Sequence, residues 1–179
     1  PAARSYEDYK YALTGTASPG IILLFGDINT LPSLLAMARD AKKRLLIHLD
    51  LLEGAGKDKA GVTLLARMGV SALITTKTHL ARYARDEGMI VVQRLFLVDS
   101  ESLRTGIHML SSFKPDALEV LPATVPAGAV RELVRETGLP VLAGGLIYTP
   151  EDIACALKNG ICAVSTSRRE LWNQTIPLE

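Results

Sequence analysis

Val141-Leu142-Ala143-Gly144-Gly145-Leu146-Ile147 is an apolar run that breaks on two glycines, and Ala163-Val164-Ser165-Thr166-Ser167 is a later run that breaks on hydroxyls. Each precedes a helix-like segment. Gly144 and Gly145 lack a β-carbon, so a ligand can approach their amides closely. Ser165, Thr166 and Ser167 present hydroxyls and amides where the next helix is expected to start, and such termini and amide nests attract phosphate. In a parallel β/α barrel the loops after the last strands are the usual seat of a phosphate. The two stretches together predict a barrel of this kind with a phosphorylated small molecule at its crown.

The rest of the chain supports that fold. Short apolar runs lie at Ile21–Phe25, Leu45–Leu49, Ala72–Thr75, Ile90–Arg94 and Ala117–Leu121, ahead of Val141–Ala143 and Ala163–Thr166. They recur roughly every 20–25 residues, a period that marks a repeated unit. Short, apolar and often β-branched, they read as strands of a sheet covered on both faces. Between them lie amphipathic stretches: Leu31–Lys43, Thr78–Glu87, Ser102–Phe113, Ala127–Glu136 and Pro150–Lys158. Gly88, Gly138 and Gly160 end helices, and Thr149-Pro150-Glu151 starts one. Repeated strand–helix units imply a parallel α/β fold. An open sheet would gather its polar residues at one switch point, whereas a barrel sets them at nearly every strand end. The second pattern is present, at Asp27, His48, Asp50, Glu53, Thr75, Thr76, Lys77, Gln93, Arg94 and Glu119. The expectation is one small TIM-like barrel domain over residues 1–179, with about seven strands and an incomplete closure. Pro1 to Ser18 read as a leading segment, helical around Tyr6 to Leu13.

Twenty basic and nineteen acidic side chains leave a formal charge of +1, so no global field draws the chain to nucleic acid or membrane. Hydrophobic residues at 48% and charged residues at 22% are ordinary for a globular domain. Cys155 and Cys162 read as buried small hydrophobes in a reducing cytoplasm. The first residues show no signal-peptide core, and no run approaches membrane-spanning length.

Residues two apart on a strand share a face, so His48 and Asp50 are expected to point the same way. The pair could bind a hydroxyl, act as acid and base, or simply orient the next loop by bonding to each other. That loop, Gly54–Lys59, is polar enough to close over a site or to be an ordinary connection. Lys77 could meet a phosphate, form a Schiff base if desolvated, or stand in solvent. Arg94 and Glu119 sit on consecutive strands, where an internal ion pair competes with a bidentate grip on a ligand. Asp27 and Asp99 read as helix caps. No spacing matches a metal motif, and neither a catalytic triad nor GxGxxG is visible, so no metal, cofactor or catalytic set is expected. Arg82, Arg85, Arg131 and Arg135 read as solvated helix faces, and Lys42, Lys43 and Arg44 as the barrel's far end. Lys57, Lys59, Arg168 and Arg169 fall on the crown's rim, with the two arginines opening a closing helix, where cations oppose the dipole. They form a candidate anion or RNA patch, without the aromatic signature of an RNA-binding module.

Several blocks together resemble the glycerol-3-phosphate-responsive antiterminators of bacterial glycerol-uptake operons. They are Ile47-His48-Leu49-Asp50-Leu51-Leu52-Glu53-Gly54, Gln93-Arg94-Leu95-Phe96-Leu97-Val98-Asp99-Ser100 and Lys114-Pro115-Asp116-Ala117-Leu118-Glu119-Val120-Leu121-Pro122, joined by Ala143–Ile147, Ser165–Ser167 and Leu171-Trp172. The likeness runs from about Gly26 to Trp172. It implies regulation rather than turnover: glycerol 3-phosphate as effector, then contact with leader mRNA so that transcription passes a terminator. It also implies that His48, Asp50, Arg94, Glu119, Gly144, Gly145, Ser165 and Thr166 line the ligand pocket, with Ser167 adding an amide to the phosphate cradle. Two alternatives stay open. One is a phosphate-ester lyase, isomerase or aldolase using His48, Asp50 and Lys77. The other is a ligand-binding module that acts through protein partners. Homo-oligomer formation is also left open.

Overall fold

The computed structural model describes residues 1–175; residues 176–179, the end of the expected single domain, lie outside the described residues. Eight parallel strands follow one another around the sheet: β1 Ala2–Ala3, β2 Gly20–Leu23, β3 Arg44–His48, β4 Ala72–Thr75, β5 Ile90–Phe96, β6 Ala117–Leu121, β7 Val141–Gly144 and β8 Ala163–Ser165. Seven helices connect them: α1 Tyr6–Thr14, α2 Leu31–Asp40, α3 Lys59–Arg67, α4 Thr78–Asp86, α5 Ser100–Leu110, α6 Ala127–Thr137 and α7 Pro150–Lys158. The Ala2 amide donates to the Thr166 carbonyl at 2.9 Å and bridges the seam between first and last strands. The fold is therefore a TIM-like barrel with nearly complete closure.

Four differences from the sequence reading have physical causes. The additional strand, β1, is two alanines inside the leading segment, too short and too small to stand out as an apolar run, yet both are buried. α3 lies where no helix was expected. Asp58 caps it by accepting from the Gly61 amide, but Gly61 breaks the helical pattern; a β-carbon there would fall 2.0 Å from the Gly56 carbonyl oxygen. Among the described residues no closing α-helix follows β8. A single 3-10 turn, Arg169–Leu171, takes its place. Finally, both cysteines are exposed rather than buried: α7 turns Ile153 and Ala156 to the core and leaves Cys155 outside that stripe, and ahead of β8 it is Ile161, not Cys162, that enters the core.

Strand alternation sets the interior in layers. A small apolar plug of Ala2, Ile22, Ile74 and Val92, with Leu24, Leu46 and Ala117 against it, fills the barrel centre. Two residues further along their strands come His48 after Leu46, Arg94 after Val92, and Glu119 after Ala117. The layer above the plug is thus polar, and it lies toward the C-terminal ends of the strands. Larger apolar clusters join the barrel's outer face to the helices. At the opposite end the Lys43 ammonium donates to the carbonyls of Thr16 and Ser18, closing the bottom. No helix among the described residues is long and apolar enough to cross a membrane.

Candidate functional site

The polar layer is one connected network. β5 and β6 are in register with Arg94 opposite Glu119, and Arg94 Nε donates to Glu119 Oε2 at 2.5 Å. Ser165 Oγ donates to Glu119 Oε1 at 2.7 Å. Both carboxylate oxygens are thereby satisfied, as a fully buried charge requires. Arg94 also reaches across to β3, where its Nη1 lies 2.5 Å from His48 Nε2. A guanidinium can only donate, so His48 Nε2 accepts and the ring proton resides on Nδ1. Burial, followed by the neighbouring Arg94 charge, lowers the His48 pKa to about 4, and the ring is neutral at neutral pH.

This neutrality carries a pH prediction. The unfolded chain protonates His48 near the ordinary value of 6.5, while the folded protein resists until about 4. Below pH 6.5 the unfolded state binds more protons, so stability is lost as pH falls toward 4, by about 3 kcal/mol. Urea unfolding at pH 7 and pH 4.5 should show a smaller loss for His48→Gln, whose amide oxygen can still accept from Arg94. Equal losses in both proteins would remove this role for His48.

Above the network a cavity of about 380 Å³ opens to solvent at the crown. Arg94 and Glu119 form its floor, Gly144 and Gly145 one wall, Ser165, Thr166 and Ser167 another, with Arg4, Tyr148 and Arg168 at the mouth. Gly144 is required by contact: a β-carbon would sit 2.5 Å from Ser165 Oγ and 3.1 Å from Glu119 Oε1. Gly145, at φ +76°, is required by conformation. Leu146 follows it at φ 57°, an unusual left-handed position for a branched residue. The Ser165–Ser167 loop is pinned through the Thr166 carbonyl, which accepts from the Ala2 amide and from Trp172 Nε1 at 2.7 Å. The N-terminus of α7 is not open to an anion, because Asp152 already accepts from the Tyr148 and Thr149 amides. What remains for an anion is the Gly144-Gly145 and Ser165–Ser167 backbone together with three guanidinium groups.

Other sequence candidates lie outside this cavity. β3 ends at His48 and a 3-10 turn, Leu49–Leu51, follows, so His48 and Asp50 do not share a strand face. His48 sits beneath Arg94 without lining the cavity. Asp50 accepts from Thr75 Oγ1 at 2.9 Å and from the Thr76 amide at 2.7 Å. Burial works against its charge, but these bonds hold its carboxyl below the usual range. Lys57 folds back to donate to the Leu49 and Leu52 carbonyls, and burial lowers its pKa. Lys59 is exposed in the first turn of α3, and Lys77 is exposed at the start of α4. Arg169 binds Asp8 at 2.5 Å and Glu7 at 2.9 Å, tying the last turn to α1. Of the four rim cations only Arg168 borders the cavity. Asp99 caps α5 as expected. Asp27 instead closes a turn just ahead of α2, accepting from the Asn29 and Thr30 amides. Among the described residues no group of three or more His, Cys, Asp or Glu side chains could hold a metal ion.

Sequence reasoning missed Arg4 and Tyr148. Arg4 follows the two-residue strand that left no apolar signal. Tyr148 was within reach, since it stands directly after the Gly144–Ile147 turn.

Comparison with known proteins places the whole barrel among relatives of the same fold. Uncharacterized protein YgcP of Escherichia coli (strain K12) is 34% identical over 155 residues, spanning 85% of this chain and 80% of its own length. The crystal structure of the glycerol uptake operon antiterminator regulatory protein from Listeria monocytogenes str. 4b F2365 superposes with a TM-score of 0.90 at 29% identity, covering 96% of this chain and 92% of that one. A glycerol uptake operon antiterminator-related protein from Thermotoga maritima MSB8 gives a TM-score of 0.85 at 28% identity, covering 96% and 95%. The family model described as glycerol-3-phosphate responsive antiterminator matches residues 1–172, from the cryptic first strand to the tryptophan that pins the crown loop. The chain belongs to the glycerol-3-phosphate responsive antiterminator family.

Proposed function

We propose that this protein senses glycerol 3-phosphate in the crown cavity and regulates transcript elongation by binding the leader mRNA of a glycerol-utilisation operon. The observation that carries the reading is the buried Arg94–Glu119–Ser165 floor beneath the Gly144-Gly145 wall. Such a cavity suits a small molecule with two unlike ends. The phosphate rests on the Gly144-Gly145 and Ser165–Ser167 backbone, with Arg4 and Arg168 supplying charge. The glycerol hydroxyls meet Arg94, Glu119 and Ser165. Sensing rather than turnover is supported by the state of the candidate acids and bases. Glu119 is held by two partners, His48 is neutral and covered by Arg94, and Lys77 stands outside the cavity. An RNA-acting regulator of this kind works in the cytoplasm.

Thermal melts test the pocket. Glycerol 3-phosphate at 100 times its dissociation constant stabilises by about 2.7 kcal/mol. For a domain of this size that is an increase of roughly 5–10 °C in Tm. Gly144→Ala should fold cooperatively and show no such increase, because the new methyl group displaces Ser165 from Glu119. A melting temperature that glycerol 3-phosphate leaves unmoved would sink the assignment, and so would a Gly144→Ala variant that responds like the parent.

A further inference from the structure

Tyr148 and Arg168 meet at the cavity mouth from two different loops, one after β7 and one after β8. The Arg168 guanidinium carbon lies 4.7 Å over the centre of the Tyr148 ring. Its one ionic partner among the described residues is Glu170, 3.1 Å away in an exposed pair. Such pairs are weak because water and salt compete with them. Arg168 also borders the cavity. A dianion seated there offers the guanidinium a charge-assisted partner on its inner side, stronger than an aromatic face or an exposed carboxylate. Movement of Arg168 toward that anion uncovers the ring of Tyr148, a residue exposed to solvent at the crown.

The surroundings of the ring define what it would meet. Arg4 and the exposed Leu146 stand on the same mouth, and Phe96 and Val98, at and just after the end of β5, are further exposed apolar side chains at the C-terminal end of the barrel. An aromatic face beside two guanidinium groups matches single-stranded nucleic acid: bases stack on the ring, and each guanidinium has five N–H donors, enough to bridge the seated anion and a backbone phosphate. A protein partner would use the apolar side chains but has no comparable need of paired cations beside an aromatic ring. We propose that the Tyr148 ring is a base-stacking contact for single-stranded RNA, kept covered by Arg168 until an anion in the cavity draws the guanidinium inward. The inference rests on the sensing reading above and names how that site would pass on its state. Linkage then demands that RNA tighten the anion by the same factor as the anion tightens RNA.

Fluorescence anisotropy of a labelled glycerol-uptake operon leader transcript tests this, with and without glycerol 3-phosphate. Saturation of each variant is verified by its thermal shift. The parent should bind more tightly with ligand and lose affinity as salt rises. Tyr148→Ala at saturating ligand should lose at least tenfold in RNA affinity, while Tyr148→Phe keeps the stacking face and stays near the parent. Arg168→Ala should compress the ratio of affinities with and without ligand toward one. A Tyr148→Ala variant that binds RNA like the parent overturns the stacking contact, and an Arg168→Ala variant with the full ligand response overturns the cover. A parent that binds no RNA in either condition overturns the sensing reading as well, leaving the apolar rim to a protein partner.

Discussion

Replacing Arg94 by leucine is expected to cost about 3–5 kcal/mol of folding stability, the range found when one member of a buried ion pair is removed. The Arg94 side chain is only 12% exposed and the Glu119 side chain is fully buried. Without the guanidinium, Glu119 keeps one bond from Ser165 while its fully buried carboxylate loses its ion-pair partner. His48 Nε2 loses its donor at the same time. For a domain of this size the loss corresponds to roughly 6–20 °C in Tm. The mechanism is separable from simple loss of packing. Adding Glu119→Gln to Arg94→Leu removes the stranded charge, so the double variant should be more stable than Arg94→Leu alone. Calorimetry on the three proteins decides it; a double variant less stable than the single one would show that charge is not the cause.

Trp172→Ala is expected to cost a similar amount, about 3–5 kcal/mol, by emptying a large buried site. Trp172 is buried, stacks on Tyr11 with ring centres 6.0 Å apart, and donates from its indole nitrogen to the Thr166 carbonyl. Its loss therefore also loosens the loop that forms one wall of the cavity. The stabilisation by glycerol 3-phosphate should shrink along with the intrinsic stability. Trp172→Phe retains the stacked ring and loses the hydrogen bond, so its cost should be the smaller, on the order of 1 kcal/mol plus the lost packing. Urea midpoints measure both. If Trp172→Ala unfolds at the parent's midpoint, the tryptophan is not the anchor of the crown.

These two residues differ in how far a linear reading reaches them. Arg94 and Glu119 lie on strands consecutive in sequence and paired in register, so an internal ion pair could be anticipated from strand spacing alone. The contact of Arg94 with His48 could not, because β4 lies between their strands. It exists because alternate strands of a closed barrel send side chains into shared interior layers. The expected shared strand face of His48 and Asp50 failed for a local reason. The backbone leaves the extended conformation right after His48, and Asp50 turns instead to the Thr75 and Thr76 hydroxyls and the Thr76 amide. Lys57 and Arg169 were legible as charges but not as spent ones. Their partners are backbone carbonyls of a tight turn and two acids more than a hundred and fifty positions away.

The amino-acid sequence by itself determined the repeating strand–helix order and the Gly-Gly and Ser-Thr-Ser strand ends. Strands covered on both faces must be continuously apolar, and close-approach turns must be small, so both leave a local trace. Closure of the ring was decided only in three dimensions. Two alanines become a strand because Ile22 and Leu23 of β2 lie beside them to pair with, Ala2 then reaches the Thr166 carbonyl across the seam, and Arg4, Tyr148 and Arg168 border one opening there. Contacts of this kind depend on where distant segments come to rest, and no stretch of neighbouring residues records that.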